Sequence, residues 1–488
     1  MSFRRFKIST SKILFKNISG QMLALFLGKI FGAIAGVLLI RYLGAEKQGV
    51  YSYILSIVYM FGFITDFGLT ALLTREVKIS GERGAKILGN SILVQAGQIA
   101  ASIIFINIYG ILFEMDAAVR YDLMLASVVF TIMYMGNPFL AVLGSYEKMY
   151  LSGLVMGTAS ILNALLIFIS IKLGFDISGI ILMLGISNIF YIIMAMTVCM
   201  KYAIKPVFNI EGALILNMVK MSIPFALIGL FSYVFTKVDI FMLYKLKGAE
   251  DAGYYSAVVR VLDIIIAFVM MIMGPVYPRL AYVINKESIK KALRIINITV
   301  KYTAVAAAPF VLIIAVFNEK FTEILLGSDF YESKYIFAVL IWGIFIMVFR
   351  VIPQYALNSA KYTKILTILF GIIMLISIGL NLWIIPLYSY MGAAFVNLFC
   401  NILILGGTLF FTRQKLGAIR FAGFTLKITA ALACAGLVMF LMKDIINFIL
   451  LSLAAAAVYS GVIFILKYFN EEDFGIVKNL FSRKKKVN

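Results

Sequence analysis

The stretch at residues 44–52 reads GAEKQGVYS, and a near copy, GAEDAGYYS, follows 204 residues later at residues 248–256. Six of the nine positions are identical, and each copy forms a short polar segment between two long apolar runs. The glycines predict a tight turn between antiparallel helices, and the tyrosines lie where an anchor at a membrane interface is expected. The sequence therefore predicts an internal duplication of two homologous helix bundles.

The composition is that of a membrane protein. The 488 residues are 63% hydrophobic and 14% charged, with a mean hydropathy of +1.01. A soluble domain of this size could not bury so much apolar surface, so most of the chain must be solvated by lipid.

Apolar runs of about 20 residues or more predict fourteen membrane-spanning helices. The predicted spans are residues 18–41, 49–73, 87–112, 120–143, 150–172, 178–200, 213–244, 252–278, 300–317, 335–358, 365–385, 390–411, 422–442 and 445–467. A sustained alternation of polar and apolar residues is missing from the sequence, which argues against a β-barrel. We therefore predict an all-α polytopic membrane protein.

The distribution of positive charge predicts the orientation. Basic residues are scattered between the apolar runs, so the net charge of +21 does not indicate nucleic acid as a partner. They are concentrated on the side that holds both termini, for example at Arg4, Arg5 and the run Arg483–Lys486. Such an excess marks the cytoplasmic side. We predict a multi-pass protein of the cytoplasmic (plasma) membrane with both termini in the cytoplasm, beginning with an uncleaved first helix.

Neither a metal nor a cofactor is expected. The chain contains no histidine, and its three cysteines, Cys199, Cys400 and Cys434, lie far apart in apolar runs. Their positions fit small core residues better than a disulfide framework or a metal site.

The duplication predicts the domain organisation. Each copy of the nine-residue segment follows the first helix of a set of six, and an even number of helices gives both sets the same orientation. We predict an N-terminal lobe at 1–211 (helices 1–6), a C-terminal lobe at 212–412 (helices 7–12), and helices 13–14 with a basic cytoplasmic tail at 413–488. In a membrane chain this architecture is typical of transporters.

Several short motifs, taken in order, resemble one family. They are Leu43-Gly-Ala-Glu-x-x-Gly-x-Tyr51, Asp66-Phe-Gly-Leu69, Arg75-Glu76, Asp239 ahead of the second copy with Arg260 beyond it, and Pro386 followed by Gly392-Ala-Ala394. This pattern resembles the oligosaccharide flippases of the polysaccharide transporter family. That family shares a superfamily with multidrug and toxin extruders and lipid II flippases.

The resemblance implies a V-shaped pair of six-helix lobes that alternates access to a central cavity. The expected cargo is a polyprenyl-(di)phosphate-linked oligosaccharide, moved from the cytoplasmic to the outer leaflet for cell-envelope polysaccharide biosynthesis. Glycan polymerase or ligase machinery is an expected partner, besides the lipid bilayer.

Ionisable residues deep in the predicted spans mark candidate site positions, because each costs about 2.5–3.5 kcal/mol at the centre of a membrane helix. They are Lys29, Asp66, Lys237, Asp239, Arg260, Asp263 and Arg350. Six of them lie on predicted helices 1, 2, 7 and 8, which line the cleft between the lobes in the fold that the resemblance implies.

Three of these cations are candidate ligands for a diphosphate: Lys29, Arg260 and Arg350. Lys29 and Arg350 have no acidic neighbour on their own helices, and an unpaired buried cation favours a hydrated cavity or an anionic ligand. The planar guanidinium of arginine suits phosphate, and lysine acts as a point charge. For Lys29, snorkelling or pairing with Asp66 is an alternative. Lys237 is expected to reach the outer interface instead of the cavity.

The acidic residues allow two interpretations. Asp239 and Asp263 both lie where they can pair with Arg260, as a structural ion network or as part of a coupling site. Asp66 is either a cation or proton site, or it caps a kinked segment before Gly68.

The polar uncharged residues of the spans are expected to act mainly as hydrogen-bonded contacts between helices. They are Asn90, Gln95, Gln98, Asn163, Asn188, Asn381, Asn397 and Asn401.

Other functions stay open at this stage. A lipid II flippase, or a cation-coupled multidrug or metabolite antiporter, fits the same architecture. A membrane glycosyltransferase or polymerase fits less well, because such enzymes need acidic residues in a substantial outer loop, and the longest predicted outer loop has 17 residues (318–334). The chain is therefore expected to be a transporter rather than an enzyme.

Overall fold

The computed structural model describes residues 2–469 except 82, 274, 275, 420 and 444, with side chains from Phe26 onward apart from some positions within helices. In that part of the chain the regular structure is helical. The helices are α1 (Ser2–Met60), α2 (Gly62–Asp66), α3 (Leu69–Ile79), α4 (Arg83–Phe113), α5 (Ala117–Ile132), α6 (Asn137–Ser145), α7 (Met149–Lys172), α8 (Ile177–Tyr202), α9 (Gly212–Lys247), α10 (Ala249–Met273), α11 (Val276–Lys286), α12 (Ile289–Val316), α13 (Asn318–Leu325), α14 (Ser333–Ser359), α15 (Thr363–Lys415), α16 (Ala422–Met442) and α17 (Phe448–Ile465). The prediction of an all-α membrane protein is confirmed.

The predicted number of fourteen spans is not confirmed. Among the described residues, ten helical segments are long and apolar enough to cross a bilayer. Two of them, Phe26–Asp66 and Thr363–Lys415, each run through two of the predicted spans, because each joins two helices across a kink, at Gly44 and Ser389, where the backbone is not helical. The basic run Arg483–Lys486 lies outside the described residues.

The two copies of the repeated segment bend the backbone in the same way. Gly44, inside α1, has φ 69° and ψ 176°, and Gly248, between α9 and α10, has φ 97° and ψ −177°. Only glycine adopts this conformation without strain, because it has no Cβ. The conserved first residue of the repeat is thus the residue at which each copy bends.

The two copies also contact each other reciprocally. A Cβ added to Gly49 would lie 1.7 Å from the carbonyl oxygen of Ala249, and one added to Gly253 would lie 1.9 Å from the carbonyl oxygen of Ala45. Gly49 and Gly253 are equivalent positions of the repeat, as are Ala45 and Ala249. We call this the reciprocal glycine contact. It joins the duplicated segments backbone to backbone.

The chain forms two compact units. The first comprises Met1–Met271, Leu325–Ser333 and Phe370–Val396, and the second comprises Ile272–Ile324, Lys334–Leu369 and Asn397–Asn488. The lobe boundaries proposed from the sequence, at 211 and 412, stay a prediction.

The core of the first unit consists of two apolar clusters. One contains Leu39 and Ile54 of α1 together with Leu123 of α5 and Ile180 of α8. The other gathers side chains from α3, α4, α6, α7 and α8. Burial of these side chains fixes the helices that line the cavity described below, including the described length of α1 that packs along α7.

The second unit is held by contacts of α12 with α16 and α17. The Tyr459 hydroxyl donates to the carbonyl oxygen of Val305 (3.0 Å), and the Tyr468 hydroxyl donates to that of Lys301 (2.8 Å). Tyrosine hydroxyls of α17 and of the segment just after it therefore satisfy backbone acceptors of α12.

A mostly buried ion pair ties α9 to the end of α4. Lys245 Nζ lies 2.8 Å from Glu114 Oε2, and the Glu114 side chain is 6% exposed. The Tyr53 hydroxyl donates to the same carboxylate (2.8 Å), and the Tyr53 ring stacks on Tyr244 with centroids 3.8 Å apart. Loss of the carboxylate charge would leave the lysine without its anionic partner.

We expect Glu114→Gln to lower the free energy of unfolding by about 2 kcal/mol, because removing one member of a mostly buried pair leaves the other charge uncompensated. Chemical denaturation of the purified protein in detergent would measure it. The matched control is Asp176→Asn, which removes the exposed partner of Lys47 (2.6 Å) and should cost about 0–1 kcal/mol. If both substitutions lowered the free energy of unfolding equally, the Glu114–Lys245 pair would contribute no more to stability than an exposed ion pair.

Candidate functional site

The first unit contains two adjoining cavities. One, of about 430 Å³, is lined by Tyr51, Tyr59, Tyr233 and Thr236 among others, and we call it the tyrosine chamber. The other, of about 510 Å³, is lined by Lys29 and small residues of α1 and α7, and we call it the Lys29 chamber. Asn163, Arg260 and Asp263 line both, so the two chambers meet at these three residues.

The position of each chamber follows from the helices that line it. Ser52 and Ser256, in the wall of the tyrosine chamber, come three residues after Gly49 and Gly253. Lys29 comes 15 residues before Gly44, which is about 22 Å along a helix. The tyrosine chamber therefore adjoins the reciprocal glycine contact, and the Lys29 chamber extends away from it.

Arg260 is held at the junction by two features of α1. Its guanidinium lies over the Tyr51 ring, 5.8 Å from the centroid. A Cβ on Gly36 would lie 3.2 Å from Arg260 Nε, so the glycine leaves room for the side chain. Cation–π contact and close packing fix the guanidinium where both chambers can reach it.

Asp263 lies one helical turn beyond Arg260, with its side chain exposed to the cavity. The positive charges of Lys237, Lys29 and Arg260 all act on its carboxylate. The described lining of the two chambers thus carries three cations and one carboxylate, which leaves a net positive cavity.

The expectation for Lys237 was wrong. It lines the tyrosine chamber, with Nζ 5.7 Å from the centroid of the Tyr59 ring. Its spacing contained the information: Tyr233, Lys237 and Ile240 are at i, i+4 and i+7 and share one helix face, which is the face on the chamber.

Asp239 belongs to a polar network away from the chamber walls. It is 3% exposed and accepts hydrogen bonds from the Tyr255 hydroxyl (2.8 Å) and from Asn381 Nδ2 (2.8 Å). These bonds join α9, α10 and α15 within the first unit.

Asp66 ends α2, and the next two residues, Phe67 and Gly68, both have positive φ before α3 begins. Its Oδ1 accepts a hydrogen bond from Thr70 Oγ1 (2.5 Å). Asp66 therefore lies at a break between two helices, which fits the interpretation that it caps a kinked segment before Gly68. Its role as a cation or proton site stays a prediction.

Arg350 lies in the second unit, on α14. Among the described residues, none accepts a hydrogen bond from its buried Nε. The structure thus brings Lys29 and Arg260 into one cavity together with Asp263. The diphosphate-binding role of Lys29, Arg260 and Arg350 stays a prediction.

Comparison with known proteins identifies the class first. The fold is similar to those of the lipid II flippase MurJ in an inward closed conformation (18% identity, 92% of this chain, 98% of that chain, TM-score 0.76) and an inward-facing multidrug resistance MATE family transporter of the MOP superfamily (13%, 81%, 96%, 0.66). It is also similar to a MOP superfamily transporter from Pyrococcus furiosus (14%, 83%, 96%, 0.58). The chain is therefore a multi-pass membrane protein with the fold of this superfamily.

The family follows from the sequence models. The model described as "Polysaccharide biosynthesis protein" matches residues 14–283, and the MatE model matches residues 224–383. The chain belongs to the polysaccharide biosynthesis protein family. A search of the curated proteins finds no match.

Proposed function

We propose that the protein is a flippase that moves a polyprenyl-(di)phosphate-linked oligosaccharide from the cytoplasmic to the outer leaflet of the plasma membrane by alternating access. Its role would be in cell-envelope polysaccharide biosynthesis, without chemical change of the substrate. The observation that carries the proposal is the net positive cavity of the first unit, whose described lining sets Lys29, Lys237 and Arg260 against one carboxylate, that of Asp263.

The charges of the cavity fit an anionic headgroup. Three cations within a membrane protein are costly unless water or an anion compensates them. A phosphate or diphosphate supplies the compensating charge, and the guanidinium of Arg260 can bind two of its oxygens at once. Arg350, in the second unit, is proposed to bind phosphate as well.

The reciprocal glycine contact is the part of the structure that the proposed transport cycle would open. The tyrosine chamber adjoins this contact, so a headgroup held there would leave on the side of the repeat turns only after the two repeat copies separate. With both termini in the cytoplasm, as the basic residues predict, the repeat turns lie on the outer side. Glycan polymerase or ligase machinery would then receive the product at the outer leaflet.

Two related functions have their own support. The similarity of fold to MurJ favours a lipid II flippase, and the MatE match over 224–383 favours a cation-coupled antiporter. The experiment below separates the antiporter from the two kinds of flippase.

The test is a flipping assay in vesicles with a fluorescent polyprenyl-diphosphate sugar. We expect Lys29→Ala and Arg350→Ala each to slow flipping about tenfold, because each removes one charged contact to phosphate, worth about 1.5 kcal/mol at the lower end of the range for such contacts. The control is Lys172→Ala, which removes an exposed cation at the end of α7. The proposal fails if wild-type protein moves no lipid-linked sugar while a sodium or proton gradient drives efflux of small cations.

A further inference from the structure

Asn163 differs from the other asparagines of the spans in the hydrogen bonding of its side-chain amide. Asn188 donates to the carbonyl oxygen of Val129 on another helix (2.8 Å), and Asn381 donates to Asp239 (2.8 Å). Asn90 donates to the carbonyl oxygen of Asn209 (2.8 Å). These three residues are contacts between elements of the chain, as the sequence analysis expected for all of them.

Asn163 makes no hydrogen bond to any part of the chain that the structure describes. Its side chain is partly exposed, and it lines both chambers where they meet, beside Arg260 and Asp263. An amide in a membrane helix usually bonds to a neighbouring helix. Here it faces a cavity, so its donors and acceptor are available to a ligand.

Besides the charged Arg260 and Asp263, the tyrosine chamber around Asn163 carries uncharged side chains that suit the hydroxyls of a sugar. Thr236, on the opposite helix α9, donates its proton to the carbonyl oxygen of Ser232 (3.0 Å) and so presents only oxygen lone pairs to the chamber. Ser52 accepts from Gln48 Nε2 (2.8 Å) and keeps its own proton to donate. The chamber wall therefore offers uncharged donors and acceptors and tyrosine rings, in addition to the charged side chains of Lys237, Arg260 and Asp263.

We propose that Asn163 is a specificity-determining residue that binds the sugar ring attached to the diphosphate, with the ring lying in the tyrosine chamber. This inference rests on the proposed function, and it adds a subsite and an orientation. An amide carries an acceptor and two donors on one planar group, which matches a pair of neighbouring sugar hydroxyls. The diphosphate lies beside Arg260, and the glycan points toward the reciprocal glycine contact.

The experiment compares two ligands on the full-length protein in nanodiscs: polyprenyl diphosphate without sugar, and the same lipid carrying one neutral sugar. Asn163→Leu, which keeps the size and removes the amide, is expected to weaken binding of the glycosylated lipid about tenfold. Binding of the sugar-free lipid should stay as in wild type. Asn163→Gln, which retains the amide, should recover part of the loss.

Two controls separate a ligand role from a structural one. Ser160→Ala removes a hydroxyl of the Lys29 chamber that donates to its own helix (2.8 Å to the carbonyl oxygen of Met156), and it should leave the ratio of the two affinities unchanged. Thr236→Val, like Asn163→Leu, should weaken binding of the glycosylated lipid relative to the sugar-free lipid. If Asn163→Leu folds poorly, Thr236→Val still tests whether a sugar binds in the tyrosine chamber. Thermal stability of Asn163→Leu should match wild type.

The outcomes distinguish this inference from the proposed function. If Asn163→Leu weakens both lipids equally, or neither, the sugar subsite is wrong while the flippase proposal stands. If wild type binds neither lipid, the proposed function itself fails.

Discussion

Gly49→Ala is expected to open the tyrosine chamber to solvent on the side of the repeat turns. The new Cβ would lie 1.7 Å from the carbonyl oxygen of Ala249, and that oxygen belongs to the backbone, so no change of rotamer can relieve the clash. The two repeat copies must move apart. Glycine to alanine within a helix is otherwise favourable by about 1 kcal/mol, so propensity alone predicts no damage.

The measurement is the labelling rate of a cysteine placed in the chamber, Ser52→Cys, in a background without the three native cysteines. A membrane-impermeant maleimide added from the outer side should label the Gly49→Ala protein at least tenfold faster than its parent. Gly253→Ala should behave alike, since its Cβ would lie 1.9 Å from the carbonyl oxygen of Ala45.

The matched control is Gly97→Ala on α4, where an added Cβ meets nothing within 4 Å. Labelling of the Gly49→Ala protein no faster than that of the Gly97→Ala protein would show that the reciprocal glycine contact does not close the chamber. Thermal unfolding of each variant establishes that the labelled protein is folded.

Local sequence patterns predicted the features that depend on neighbouring residues. Apolar runs predicted the helical membrane fold, and the glycines of each repeat predicted a turn, which the backbone makes at Gly44 and Gly248. For both features the position along a single stretch of chain carries the information. Lys29, Arg260 and Asp263 line one cavity of the first unit; the cleft between lobes was expected for their helices from the family resemblance, and their role as site residues stays a prediction.

Features that depend on packing between distant segments were not predicted. The sequence shows that Gly49 and Gly253 are equivalent, but their contact with Ala249 and Ala45 depends on how the two copies meet. Likewise the hydrogen-bond partners of Asn188 and Asn381 lie on other helices. Whether Asn163 has a described partner also depends on which helices pack beside it. A list of polar residues in spans therefore cannot separate contacts between helices from candidate ligands.

Arg260→Ala is expected to weaken binding of sugar-free polyprenyl diphosphate about a hundredfold, the largest effect among the cavity cations. Arg260 lines both chambers and can make two charged hydrogen bonds to one phosphate. The substitution also leaves Asp263 less compensated, so the carboxylate repels the incoming anion more strongly. Binding to protein in nanodiscs, measured by titration of a fluorescent lipid, gives the ratio to wild type.

Arg260→Lys separates charge from geometry, because lysine keeps the charge and loses the planar fork. We expect about a tenfold loss for it, intermediate between wild type and alanine. The double substitution Arg260→Ala with Asp263→Asn should bind more tightly than Arg260→Ala alone, since it also removes the repelling carboxylate.

If the anion were attracted only by the net positive charge of the protein, the substitutions would affect binding in a different pattern. Lys172→Ala lowers the net charge by the same amount on an exposed site, and its effect on binding should be small and should vanish in high salt. The effect of Arg260→Ala should persist in high salt, because a contact within a cavity is screened much less. If Arg260→Ala and Lys172→Ala weaken binding equally and salt abolishes both effects, the anion is attracted by the field of the whole protein, and the phosphate site at Arg260 is wrong.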